Sequence, residues 1–196
     1  MQMQGNIEIN QTDKQPIIED DGLSWYAMRI FCARQMEIKE KLESRGLVCF
    51  IPMEDIPFRD KDNRLKHKLR PVVKNLIFIK KSISESDMHA LISDLRYPVS
   101  IISKAENSRA YCEIPSKQMY EFRRMCEPAA VMRLYMSSEQ AKLKQGTEVV
   151  VTNGPLKGFT GKLVRQNKLY YLLKDVPGVA VALKVSRWCC KPVKEQ

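Results

Sequence analysis

Glycines 154, 158 and 161 stand between two β-prone runs, Thr147–Thr152 and Gly161–Arg165, within the segment Gly146 to Val164. Glycine reaches backbone conformations closed to other residues, so this spacing predicts a tight reversal between two strands. Two further short runs follow, Leu169–Leu173 and Val179–Leu183, set apart by Asn, Lys, Pro and Gly. Closely spaced short strands predict a small all-β barrel over residues 143–193, with Val149, Val151, Phe159 and Leu163 supplying its interior.

The same stretch is basic. Residues 143–192 hold Lys144, Lys157, Lys162, Arg165, Lys168, Lys174, Lys184, Arg187 and Lys191 against Glu148 and Asp175 alone. The whole chain carries a net charge of +10, which predicts a polyanionic partner, because clustered Lys and Arg displace counterions from nucleic acid. Residues 1–22 run the other way, with Lys14 against Glu8, Asp13, Glu19, Asp20 and Asp21. Few large apolar groups accompany them, so a flexible acidic tail is expected.

Upstream, the texture is mixed. Ser24 to Ile30 is a β-prone run, and Ala33 to Arg45 reads as a helix in which Ile38 and Leu42 share a face and Gly46 ends the run. Leu47–Ile51 reads as a strand stopped by Pro52. Phe58–Arg70 is a charged stretch whose Asp62-Asn63 centre suggests a hairpin tip. Val72–Lys80 is the most apolar strand, with Leu76 and Phe78 on one face and Ile77 and Ile79 on the other, so it needs cover on both sides or presents a sticky surface. Met88, Leu91, Ile92 and Leu95 define a second helix capped by Ser84. Val99–Ser103 and Arg109–Ile114 read as short strands, and Pro115 opens a third helix bearing Met119, Phe122 and Cys126. The order predicts an α+β domain over residues 23–126, an antiparallel sheet flanked by helices. Residues 127–142 read as a linker, with a helical segment at Val131–Met136.

Catalysis and metal binding find no support in these residues. The six cysteines show no C-x-x-C spacing, only His67 and His89 are available beside them, and no nucleophile-base spacing or phosphate loop is present. Isolated buried thiols, no metal, no cofactor and no enzymatic activity are the expectation. Cys189 and Cys190, if on a strand, point to opposite faces. Apolar runs fall far short of the ~20 residues that span a bilayer, and no secretion signal opens the chain, so a cytoplasmic protein without membrane contact is expected.

The Gly146–Val164 segment, with Gly154, Pro155, Lys157, Gly158 and Gly161, resembles the KOW motif of NusG-type factors and several ribosomal proteins. Trp25-Tyr26, Arg34-Gln35, Gly46 and Phe50-Ile51-Pro52 resemble the NusG N-terminal (NGN) domain. The resemblance implies a monomeric elongation and antitermination factor whose first domain grips the clamp helices of RNA polymerase. Leu76, Phe78, Val73, Asn75 and Tyr26 are then the candidate polymerase-facing residues, with Trp25 beside Tyr26. In general NusG proteins the matching strand begins Phe-Pro-Gly-Tyr; here Lys74-Asn75 replaces the Pro-Gly and Leu76 the aromatic. The Asn-Leu-Ile-Phe string resembles specialised antiterminators of capsular-polysaccharide operons (UpxY-like). Arg34, Lys39, Arg64, Lys66, Lys68 and Arg70, with Lys41, Arg45 and Arg59, are candidate contacts to non-template DNA or nascent RNA, and the resemblance adds a small-subunit ribosomal protein as a partner of the KOW domain. A ribosome-associated or RNA-binding KOW module without polymerase contact is the alternative reading.

Overall fold

The computed structural model describes residues 20–105, 108, 110–127 and 132–193. Of the expected tail, residues 1–19 lie outside the described residues. Its last acids are anchored: Asp21 pairs with the buried Lys80, which holds the Asp21 carboxyl below its usual range, and Asp20 accepts from the Ser116 hydroxyl.

The first half is α+β. Strands β1 (Trp25–Ile30), β2 (Cys49–Phe50), β5 (Leu76–Lys80), β6 (Val99–Ile101) and β7 (Glu113–Ile114) form an antiparallel sheet in the order β2-β5-β1-β6, with β7 on the start of β1. Alternation sorts their side chains. Tyr26, Met28, Ile30, Ile77 and Ile79 face Ile38 and Leu42 of α1 (Gln35–Glu43) and Met88 of α2 (Glu85–Asp94). Trp25, Ala27, Leu76 and Phe78 face the other way, onto Met119 and Phe122 of α3 (Ser116–Met125). Ser84 caps α2 by accepting from the Asp87 amide at 3.1 Å, as its sequence position predicts. Pro115 occupies the N-cap of α3, one residue outside the helix it was expected to open. The charged stretch forms a two-stranded ribbon, β3 (Met53–Arg59) and β4 (Leu65–Pro71), closed by Asn63 at φ 60°.

The second half is an antiparallel sheet in the order β13-β9-β10-β11-β12-β8. Its strands are β8 (Arg133–Met136), β9 (Thr147–Val151), β10 (Thr160–Gln166), β11 (Leu169–Val176), β12 (Val179–Lys184) and β13 (Cys190–Pro192). The edges β13 and β8 do not pair with each other, so the path stays open where a closed barrel was expected.

The expected helical segment at 131–136 is also corrected. Val131 lies outside the described residues; Arg133–Met136 is a strand, registered as Leu134 opposite Ala182, and α4 (Ser138–Leu143) follows behind a Ser137–Gln140 capping box. Four alternating residues are too few to declare a period in sequence; the open backbone edge of β12 decides their conformation. Alternation again divides the faces: Val164, Tyr171, Leu173, Ala180 and Ala182 pack on Ala141 of α4, whereas Val149, Val151, Leu172, Val179 and Val181 join the core of the first half.

Candidate functional site

The apolar strand begins later than its composition suggests. Residues 72–75 are bends and turns, and pairing starts at Leu76. Gln35 explains the break: its buried amide donates to the carbonyls of Val73 at 2.9 Å and Leu76 at 2.8 Å, while the Ile30 amide donates to Asn75 at 2.9 Å. A buried side-chain amide thus satisfies carbonyls that a ladder would otherwise take. Val73 ends half-buried and Asn75 exposed, at the mouth of a strand whose remaining residues are buried.

Leu76 and Phe78 share a face, but different groups cover them. Phe78 lies 5.5 Å, ring to ring, from Phe122 and 6.2 Å from Phe50, inside its own half. Leu76 meets the β11–β12 turn of the other half: a Cβ added at Gly178 would lie 2.9 Å from both Leu76 methyls. Val176 and Val179 pair across that turn, and Gly178 sits at φ 96°, the left-handed position that Pro-Gly turns of type II reserve for glycine. Tyr26 lies on the opposite face, 5.4 Å edge-to-face from Tyr111, so the structure does not bring it together with Leu76; Trp25 is the aromatic that shares the Leu76 face.

The seam between the halves carries polar groups that composition did not reveal. Glu121 of α3, 2% exposed, pairs with Lys174 of β11, 8% exposed. The same carboxylate accepts from the Thr160 amide and hydroxyl, both at 3.3 Å, and Lys174 also donates to that hydroxyl at 3.2 Å. Gln118 donates to the Asp175 carbonyl at 2.7 Å. Tyr120 meets Phe159 edge-on at 6.2 Å. Glu121 looked like an ordinary helical acid; its three-residue offset from Gln118 and one-turn offset from the apolar Met125 is the only sequence hint that it faces inward.

The candidate cations separate into two groups. Lys66, Lys68 and Arg70 alternate along one face of β4, with Lys66 paired to Asp60 at 2.8 Å and Arg70 to Glu54 at 2.9 Å; Arg64 sits at the ribbon tip. Lys41 of α1, with Arg34 at its N-cap and Arg45 just beyond its C-terminal end, lines a groove with Arg96 and Tyr97. Arg96, at φ 54°, was not anticipated. The Tyr97 hydroxyl donates to Glu37 at 2.5 Å and accepts from Lys41 at 2.6 Å; this hydrogen bond, seconded by the Glu37 charge and opposed by burial, holds the Lys41 ammonium above its usual range. Lys39 faces elsewhere, paired with Glu43 at 2.8 Å.

Of the glycines in the KOW-like segment, Gly154 and Gly158 take φ of 87° and 88° in the β9–β10 turn that contains Pro155 and Lys157. Gly161 instead lies within β10, where a Cβ would come 2.6 Å from the Leu173 carbonyl oxygen. Close strand approach, rather than turning, requires that glycine. All six cysteines are free thiols, and among the described residues no group of His, Cys, Asp and Glu is placed to hold a metal. Among the described residues no helix is long and apolar enough to cross a membrane.

An antiparallel sheet flanked by three helices, a two-stranded ribbon and an appended all-β half meet at a shared apolar seam. A family model described as transcription termination factor NusG matches residues 23–123. The chain therefore belongs to the NusG family, a family of transcription elongation and antitermination factors that bind RNA polymerase and carry out no enzymatic reaction. No curated protein matches the chain.

Proposed function

We propose that this chain is a specialised NusG-type factor that promotes antitermination on selected operons, polysaccharide-biosynthesis operons among them, by gripping the polymerase clamp helices through the mouth of β5. The contact surface comprises Val73, Asn75 and Leu76, flanked by α3. The observation that supports this reading is the cover on Leu76: an aliphatic side chain at a strand mouth, in the core it shares with α3, has its methyls closed by a turn of the second half. Such a surface serves a partner when the turn withdraws. Its burial is worth about 1.5–3 kcal/mol for one leucine, which a clamp helix can match by taking the same place. Phe78, under Phe122, supports the surface from behind, and Tyr26 holds the opposite face to α1 and α2.

The mechanism is population shift. A factor that binds the forward-translocated polymerase better than the paused one raises the occupancy of the former by its differential affinity. The ribbon cations Arg64, Lys66, Lys68 and Arg70, with Arg34 and Lys39 of α1, contact the non-template strand. The second half acts as the KOW-type module, with a small-subunit ribosomal protein as its partner.

Co-purification with bacterial RNA polymerase tests the reading, comparing the intact chain with Leu76→Asp after circular dichroism has verified folding of both. Retention of the intact chain and loss of the folded variant supports it. If neither is retained while ribosomes capture both, the translation-side alternative takes its place.

A further inference from the structure

The end of the second sheet farthest from the Leu76 seam carries a surface that the polymerase reading does not use. Trp188 is 91% exposed, on the 3-10 turn Arg187–Cys189 that follows β12. It lines a groove with Lys168, Tyr170, Lys184, Ser186 and Arg187. The Tyr170 ring is flanked by two guanidinium groups, Arg165 at 5.7 Å and Arg187 at 5.8 Å. The β10–β11 turn brings Lys168 to the rim with φ 64°, next to Asn167 at φ 50°. Neither 164–170 nor 184–193 contains an acidic residue, and among the described residues Arg165, Lys168, Lys184, Arg187 and Lys191 form no ion pair with a carboxylate. Several cations elsewhere on the surface are matched, as at Arg45–Asp94 (2.6 Å) and Arg70–Glu54 (2.9 Å).

An exposed indole beside uncompensated cations needs an explanation. Water solvates Lys and Arg well but leaves an indole face unpartnered. A ligand that offers both a flat π-surface and a negative charge at short intervals satisfies both, and a single-stranded nucleic acid is such a polymer. A duplex hides its base faces and offers charge alone. β11 runs from this groove to the seam, eight residues and so about 24 Å over the rises between them at ~3.4 Å per rise, so the groove is accessible whether or not the seam is closed.

We propose that Trp188, Tyr170, Arg187 and Lys168 form a binding site for single-stranded RNA, with a base stacked on Trp188 and phosphates on Lys168, Arg187 and Lys184. The Ser186 hydroxyl at the groove gives a partner for the ribose 2′-hydroxyl, the group that separates RNA from DNA. Family membership supplies the occasion, since a factor working on transcribing polymerase meets an emerging strand. The site requires no polymerase contact, so its test is independent of the clamp reading.

Fluorescence anisotropy of a labelled twelve-nucleotide RNA, titrated with the full chain, gives the affinity. The chain has two tryptophans, and Trp25 is 3% exposed, so RNA stacking quenches emission that belongs to Trp188. Trp188→Ala is expected to weaken RNA binding roughly tenfold or more, and Trp188→Phe to keep most of it. Lys168→Gln with Arg187→Gln is expected to lower the slope of log affinity against log salt by about 1.4, two single-strand phosphates at ~0.7 each. RNA should bind at least as tightly as DNA of the same sequence, and more tightly than a duplex of equal length. The proposal is overturned if Trp188→Ala binds like the parent, if the duplex binds as well as the single strand, if DNA binds more tightly than RNA, or if Arg64→Gln with Lys66→Gln abolishes binding in place of the groove variants.

Discussion

Replacing Lys174 with Ala removes one partner of the buried pair at the seam and leaves the Glu121 carboxylate with only the Thr160 donors, since its second oxygen has no hydrogen-bond partner. Breaking a pair buried to this degree costs about 3–5 kcal/mol when the remaining charge stays in place. The two halves offer a cheaper outcome. If the second sheet lifts from α3, Glu121 regains water and each half keeps the rest of its own core: Ile38, Leu42, Met88 and Ile77 in one, Val164, Tyr171, Leu173 and Ala141 in the other. The predicted effect is therefore a shift of roughly a hundredfold to several thousandfold from closed toward open, at ~1.4 kcal/mol per factor of ten, limited by the free energy of closure. Hydrogen exchange reads it directly. Amides of the Val176–Val179 turn and of α3 should lose protection by that factor while those of β1 and β10 keep theirs. Uniform loss of protection across both sheets would refute the reasoning, because it would make the two halves one cooperative unit; unchanged protection at the turn would show that the pair contributes nothing to closure.

Gly178→Ala should weaken closure by about 1–2 kcal/mol from the left-handed backbone alone, with the 2.9 Å approach to Leu76 adding to it, read as a drop in the thermal midpoint that Leu76→Ala partly relieves. Gln35→Leu strands the Val73 and Leu76 carbonyls and should lower unfolding free energy by about 1–3 kcal/mol in denaturant titrations; a neutral result would mean that water replaces the amide. Burial pushes the Cys49 and Cys126 thiols from an ordinary 9.0 up to about 12. A raised thiol pKa leaves the contribution of the neutral thiol intact below 9.0 and removes it as pH climbs toward 12, because the unfolded chain ionises first. Denaturant midpoints should be level below pH 9.0 and fall above it, less steeply in Cys126→Ala; a midpoint that rises there would contradict the assignment.

Where side-chain periodicity was long, sequence and structure agree. Six residues of β1, the Ser84-capped α2 and the β9–β12 succession all follow from strand propensity, turn residues or helical period. Three features were not legible, each for a physical reason. β8 forms because β12 exposes an edge, a tertiary fact that Arg133–Met136 do not encode in four residues. The late start of β5 depends on Gln35, about forty positions earlier, reaching two carbonyls. The seam depends on Glu121, Lys174 and Gly178 meeting across halves, and the helical spacing that turns Glu121 inward does not name the partner it meets. The candidate surface was thus readable as an apolar strand with Leu76 and Phe78 on one face, whereas the identity of the cover was not: a ring of the same half for Phe78, a turn of the other half for Leu76.

In the proposed function the mouth of β5 meets the polymerase clamp. Asn75 is exposed beside Leu76, so a photo-activatable residue placed there tests it most directly, with Trp188 as the comparison position on the far end of the second sheet. On polymerase elongation complexes, position 75 is predicted to crosslink to the clamp helices, and more strongly in the Lys174→Ala background. Crosslinks to the clamp from position 188 with none from position 75 would contradict the account and move polymerase recognition to the second half.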